Sequence, residues 1–237
     1  RHRLAGVIVE ALLARPLWSP GPMTTFHADP HAGNLMALAD GRLGILDWSL
    51  VGRIDKTDQI NLTQLLLGAL TLDRQRIVGA IVAIAENGVD ETRLREIVEG
   101  HIKRLRHGHW PGLGWLTSLM DETLTSAGAR FGPGLIIYRK VLHTLKGVIA
   151  DVAPDFRVDK AIALAFLKRF VAEAAERTVA SPHTRHFSTH LSNVDLAQLA
   201  LSLPIAGSLY WLGLQQDIVA GKGPPAAAPS SDERPVA

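Results

Sequence analysis

Apolar positions recur along most of this chain at helical spacing. Leu4, Val7, Ile8, Ala11 and Leu12 cover one face, so a helix is predicted over Leu4–Ala14, ended by Pro16, Pro20, Gly21 and Pro22. Asp55-Lys56-Thr57-Asp58 opens a second helix, and Ile60, Leu62, Leu65, Leu66 and Ala69 follow in register. Asp73 is an N-cap for a helix over Arg74–Asn87 with Ile77, Ile81 and Ile84 inward and Gly88 as its stop. Asp90 starts another through Leu94, Ile97, Val98 and Ile102. Leu119–Gly128, Leu135–Val148 and the Ala-rich Val158–Val179 complete the helical set. Trp110–Trp115 and the histidine-bearing Ser181–His190 are predicted as loops, the latter polar. The basic run His101–His109 is predicted as a solvated helix end.

Leu196–Leu214 carries no formal charge and is about long enough to span a bilayer, but Gln198, Ser202, Pro204, Gly207 and Ser208 dilute it. Two buried or amphipathic helices hinged at Pro204 are expected there. Tyr210 and Trp211 near its end leave peripheral membrane contact open. From Lys222 onward Pro, Ala and Ser dominate, which predicts a disordered tail over 222–237.

One stretch breaks the helical pattern. Leu35–Leu38 and Leu43–Leu46 are short apolar runs flanking Asp40-Gly41, a favoured two-residue turn, and together they predict a β-hairpin. The fold class expected is therefore mainly α with one small hairpin. Such a hairpin brings its outer ends together, so Asn34 and Asp47 should face one volume, with Asp29 on the loop just before. A carboxylate and an amide oxygen suit Mg2+, a hard cation that takes its remaining ligands from water and nucleotide phosphates. A further carboxylate can orient an attacking hydroxyl or water and accept its proton. The order His-x-Asp, an Asn five residues after the Asp, then a strand-borne Asp is that of the protein-kinase catalytic loop and its metal-binding Asp.

The full run Phe26-His27-Ala28-Asp29-Pro30-His31-Ala32-Gly33-Asn34, followed by Asp47-Trp48, resembles the catalytic loop of the UbiB/AarF family of atypical kinase-like proteins. That resemblance implies a kinase-like large lobe over residues 1–221 and Mg-ATP-dependent phosphoryl transfer or ATP hydrolysis tied to ubiquinone or isoprenoid-lipid metabolism. It implies that Asp29 is the catalytic-loop Asp, that Asn34 and Asp47 hold Mg2+, and that His27 shapes the loop. His31 stands where many protein kinases have a Lys. The chain departs from the family in two respects. Ser49 occupies a position that is usually Gly, which loses freedom at positive φ. Only 26 residues precede His27, with no phosphate-covering loop and no Lys, so the small lobe is not in this sequence.

Other readings remain open. An aminoglycoside- or choline-kinase-like phosphotransferase shares much of the loop. His27, Asp29 and His31 alternate as the ligands of a metallohydrolase would. A non-catalytic pseudokinase or assembly module would keep the site residues yet lack the means to close over a nucleotide. Arg139, Lys140 and Lys146 lie on a predicted helix, from which one can reach a phosphate or a loop acid. The net charge of +2, with scattered basic residues, offers no nucleic-acid footprint. The absence of cysteine excludes disulfides and thiol chemistry and fits a cytoplasmic protein, with peripheral contact to the membrane's inner face left open. The chain opens on Arg1, not Met, which points to a native start further upstream.

Overall fold

The computed structural model describes residues 1–219, so the predicted tail at 222–237 lies outside the described residues. Helix α1 (His2–Val9) runs through a π-turn (Glu10–Ala14) directly into α2 (Arg15–Leu17). Pro16 thus lies inside the helix rather than past its end. The wide turn relieves the clash that a proline ring makes with the carbonyl four residues back.

A helix end also leaves carbonyls without partners, and here other parts of the chain supply them. Tyr138 Oη donates to the Leu13 carbonyl at 2.9 Å and Gln59 Nε2 to that of Pro16 at 2.8 Å. His190 Nε2 donates to the Leu17 carbonyl at 3.0 Å and Arg169 Nε to that of Trp18 at 3.1 Å. Each such bond contributes about 1 kcal/mol net, and more is lost if the carbonyl is left bare.

Strand β1 (Met23–His27) leads into the loop, a 3-10 turn (Ala32–Asn34) follows, and then β2 (Leu35–Ala37) and β3 (Leu43–Ile45) form the predicted hairpin. Leu35 pairs with Ile45 and Ala37 with Leu43. Its connection is wider than the expected two-residue turn. The Leu38 amide donates to Arg42, the Gly41 amide donates to Leu38, and Gly41 sits at φ 82°. Ala39-Asp40-Gly41 is therefore a three-residue loop whose third position needs the left-handed region, which explains the glycine.

Strand β4 (Val51–Asp55) returns to pair antiparallel with β1, setting Phe26 opposite Gly52 and His27 opposite Val51. A Cβ at Gly52 would lie 2.2 Å from the Phe26 ring. That ring packs edge-on against Tyr138 at 5.4 Å, in the core.

The remainder is helical: α3 (Lys56–Thr71), α4 (Arg74–Ile84), α5 (Glu91–Arg106), α6 (Leu113–Ser126), α7 (Pro133–Val152), α8 (Val158–Ala172), α9 (Ala174–Val179) and α10 (Asn193–Val219). Asp55, Asp73 and Asp90 each accept the amide three residues on, the N-caps that their positions suggest. The α4 helix stops at Ile84, short of the expected Asn87, because Ala85–Asn87 becomes β5 and pairs with β6 (Arg130–Phe131). Helix α6 begins inside the predicted Trp110–Trp115 loop and buries Trp115.

The expected Val158–Val179 helix breaks at Glu173, whose carboxylate is drawn into bonds from Ser188, Thr189 and Arg177. The segment 181–190 is a loop as expected, but part of it turns inward: Phe187, Thr189 and His190 are buried. His101, by contrast with the exposed Lys103, Arg104, Arg106 and His109 of the same run, is buried and bonds Glu122.

Helix α10 is one continuous element, not two hinged at Pro204. The carbonyl that Pro204 leaves free belongs to Ala200, which is exposed, so water can satisfy it and the helix need not break. Its Leu201, Ile205 and Trp211 are exposed, whereas Tyr210 reaches inward to bond the Ala69 carbonyl. Among the described residues no helix is long and apolar enough to cross a membrane.

Candidate functional site

The site is assembled where β1 ends and the hairpin closes. His27 is buried at the end of β1 and uses both ring nitrogens on backbone. Nδ1 accepts the Asp29 amide at 3.2 Å, which fixes the proton on Nε2, and Nε2 donates to the Leu46 carbonyl at 2.9 Å. One imidazole thereby ties the loop bearing Asp29 to the residue immediately before Asp47. Trp48 covers its ring edge-on at 5.1 Å. With both nitrogens so used, His27 has none to offer as a metal ligand. Among the described residues no group of three His, Cys, Asp or Glu side chains could hold an ion.

His31 caps the short 3-10 turn, Nδ1 accepting the Gly33 amide at 3.1 Å. That turn presents Asn34. Asn34 is buried, and its Nδ2 donates to the main-chain carbonyl of Asp29 at 3.1 Å. Its own carbonyl accepts the Leu46 amide at 2.9 Å. Asn34 is thereby stitched to the loop on one side and to the far hairpin strand on the other. Its Oδ1 has no protein donor among the described residues, so it is left as a bare oxygen.

Asp47 follows Leu46 directly and stands at φ 50°, in the left-handed region that Asp tolerates better than most residues. The Ser49 hydroxyl and then its amide hold the exposed Asp47 carboxyl below its ordinary range, with His27 and His31 nearby adding to the effect. The backbone freedom that a Gly at position 49 would give is not needed: the residue at positive φ is Asp47 itself.

Asp29 lies between two basic groups. Lys140 Nζ of α7 is 3.2 Å from Oδ1, and His31 Nε2 is 3.8 Å from Oδ2. Of the basic side chains marked on this helix in the sequence, Arg139 pairs instead with Asp121 of α6. Lys140 is the site residue that periodicity left unassigned, since spacing put it on a helix but not against Asp29.

The structure thus ties the segments bearing Asp29, Asn34 and Asp47 together through His27 and Asn34, with His27 and His31 close enough to Asp47 to act on its charge. The bare Asn34 Oδ1 and the exposed Asp47 carboxylate are hard oxygen donors of the kind that suits Mg2+, while the Asp29 carboxylate is engaged by Lys140 and His31. Leu46, Trp48 and Leu50, which flank Asp47 in the chain, are exposed, as are Met36 and Leu38 on the hairpin.

Comparison with known proteins places the same stretch. Residues 9–81 match the model of the ABC1 atypical kinase-like domain. The chain is 45% identical over 62 residues to an uncharacterized protein of Synechocystis sp., covering 26% of this chain and 15% of that protein. It is 36% identical over 66 residues to a chloroplastic protein of Arabidopsis thaliana described as an uncharacterized aarF domain-containing protein kinase, covering 28% and 12%. A second uncharacterized Synechocystis protein is 42% identical over 48 residues, 20% of this chain and 7% of that one. The chain therefore spans only a small part of the curated relatives it matches. No solved structure matches it.

Proposed function

We propose, on the premise that residues 9–81 belong to the ABC1 atypical kinase-like family, that this chain is the large lobe of an atypical kinase or ATPase and carries its phosphate-side machinery. The observation that carries this reading is the bonding of Asn34, which fastens the Asp29 loop and the strand before Asp47 into one unit while leaving its own Oδ1 bare. Asn34 and Asp47 are the residues that would hold Mg2+. When bound, the ion would neutralise charge on the nucleotide phosphates.

Asp29 is the general base in this reading. The acceptor's O–H proton passes to its carboxylate as the acceptor oxygen bonds to the terminal phosphorus. The bond from phosphorus to the bridging oxygen breaks, and its electron pair leaves with the nucleoside diphosphate. His27 positions the loop and takes no proton, since both nitrogens are committed to backbone. The link to ubiquinone or isoprenoid-lipid chemistry is supported by resemblance alone, and the acceptor is either a hydroxyl of that class or water.

The exposed apolar side chains of Leu46, Trp48 and Leu50, on either side of Asp47 in the chain, favour a second feature: this surface is completed by a covering lobe. Without one, the chain binds ATP weakly. The test is titration of Mg-ATP into the purified chain. Affinity weaker than micromolar is expected, and micromolar affinity without a partner overturns the incomplete-lobe reading. In a complete enzyme, Asp47→Asn abolishes Mg2+-dependent nucleotide binding. Asp29→Asn spares binding and lowers turnover by ~10²–10⁴-fold, the range for loss of a general base. Equal behaviour of the two variants would refute the division of roles.

A further inference from the structure

His31 occupies the place in the loop where many protein kinases have a Lys, and here its Nδ1 is spent on capping the turn that presents Asn34. The loop therefore offers no ammonium of its own. One arrives from a different part of the chain. Lys140 is on α7, 111 residues beyond Asp29, and its Nζ lies 3.2 Å from Asp29 Oδ1. Its side chain is 57% exposed, so it is open to solvent while it contacts Asp29. An ammonium has three N–H donors, and the contact with Asp29 uses one. Two remain for an incoming anion.

The neighbouring basic groups on the same face of α7 are not available in this way. Arg139 pairs with Asp121, and His143 Nε2 is 3.8 Å from the same carboxylate. The direction of Lys140 is fixed from beneath, because α7 is locked into the core by Tyr138, fully buried and bonded to the Leu13 carbonyl.

We propose that Lys140 is the phosphate-holding cation of this site, gripping the terminal phosphoryl group over Asp29 from a helix rather than from within the loop. The proposal rests on the kinase-like reading of Asp29, Asn34 and Asp47 and deepens it. It assigns the charge that must face the phosphoryl oxygens to a residue that lies outside the matched segment 9–81. A lysine suits the task because its flexible stem lets one point charge serve both Asp29 and a phosphate.

The test uses the chain as it stands and a probe that needs no adenine cleft. Inorganic tripolyphosphate is titrated with and without Mg2+ and followed by phosphorus NMR, for the wild type, Lys140→Met, Lys140→Arg, Asp47→Asn and Lys146→Met. The exposed Lys146 on the same helix controls for general surface charge. The expected result is Mg2+-dependent binding that is lost in Asp47→Asn and about tenfold weaker in Lys140→Met, the loss usual for one charge-assisted hydrogen bond. Lys140→Arg should stay within about twofold of the wild type, since the charge is kept, and Lys146→Met should match the wild type. A purely structural role for Lys140 would change the melting temperature and not this pattern. Binding lost in Asp47→Asn but unchanged in Lys140→Met overturns the Lys140 assignment alone. A wild type with no Mg2+-dependent binding overturns the site reading and the Lys140 assignment together.

Discussion

Two buried histidines, His27 and His190, make almost the same bond and do different work. Both are about 1% exposed or less, and in each Nε2 donates to a backbone carbonyl, of Leu46 at 2.9 Å and of Leu17 at 3.0 Å. The difference lies in the other nitrogen. His27 Nδ1 takes the Asp29 amide, so the ring is saturated and fixes the relation of two loops. His190 Nδ1 is buried with no hydrogen-bond partner, and its surroundings work against a charge. Burial, and then the positive charge of Lys56, push the His190 pKa down to about 4. A buried histidine thus shapes a site when both nitrogens are used on segments that must be held in register. When one nitrogen is left over, it plugs a helix end and makes the fold sensitive to acid.

The largest expected effect separates them by stability. His190→Ala leaves the Leu17 carbonyl bare and opens a cavity in the interior, so a loss of about 3 kcal/mol is expected from denaturant melts. Mg2+-dependent tripolyphosphate binding by the fraction still folded should be unchanged. His27→Ala should cost less, about 2 kcal/mol, because Leu46 is exposed enough for water to replace part of the bond. It should nevertheless abolish phosphate binding. If both variants lost only stability, the distinction between a shaping and a plugging histidine would be wrong.

Acid sharpens the contrast. An unfolded histidine protonates near its ordinary value of about 6.5, whereas His190 in the fold resists until about 4. The unfolded state therefore binds more protons across that window, and stability falls as pH drops from about 6.5 to about 4 by up to roughly 2–3 kcal/mol. His101 is lowered too, by burial and then by Arg104, and acts in the same direction. His190→Gln keeps a donor for Leu17 and should remove most of the His190 share of the acid loss, read as melting temperature at pH 5 against pH 7.5.

The smallest effect runs the other way. Asp58, in the first turn of α3, is raised to about 6 by burial and then by the carboxylates of Asp55 and Glu86. Here the folded state binds the extra proton, so its contribution is fully present below about pH 4 and lost as pH rises through about 6. Asp58→Asn should therefore stabilise the chain above pH 6, by about 1 kcal/mol after solvent screening. No gain at pH 7.5 would show that the helix N-terminus already compensates the charge.

The hairpin was legible because a local rule defines it: Asp40-Gly41 between two apolar runs leaves few alternatives, though not the length of the loop. The three Asp caps were legible for the same reason. Strand β5 was not. Ala85-Glu86-Asn87 continues the period of Ile77, Ile81 and Ile84, and only pairing with Arg130–Phe131, more than forty residues away, pulls it out of the helix. Within the site, Asp29, Asn34 and Asp47 fall close together in sequence, so the ties between their segments through His27 and Asn34 lie within reach of one hairpin. The contact of Lys140 with Asp29 could not, since it depends on the path of six intervening helices and strands packing α7 against β4. The burial of His190 was hidden similarly, because nothing near Ser181–His190 announces the helix end at Leu17 that it caps.

Where α7 meets β4 there is room for a hydrogen atom and nothing larger: a Cβ on Gly134 would lie 1.9 Å from the Arg53 carbonyl oxygen. Six residues on, the same helix carries Lys140. The aim of that ammonium at Asp29 is set in part, then, at a crowded crossing outside the loop, and a single added methyl there would swing the helix like a misplaced shim under a lever. A harmless-looking Gly134→Ala should misdirect Lys140 without touching any residue of the loop, read as Mg2+-dependent tripolyphosphate binding weakened toward that of Lys140→Met.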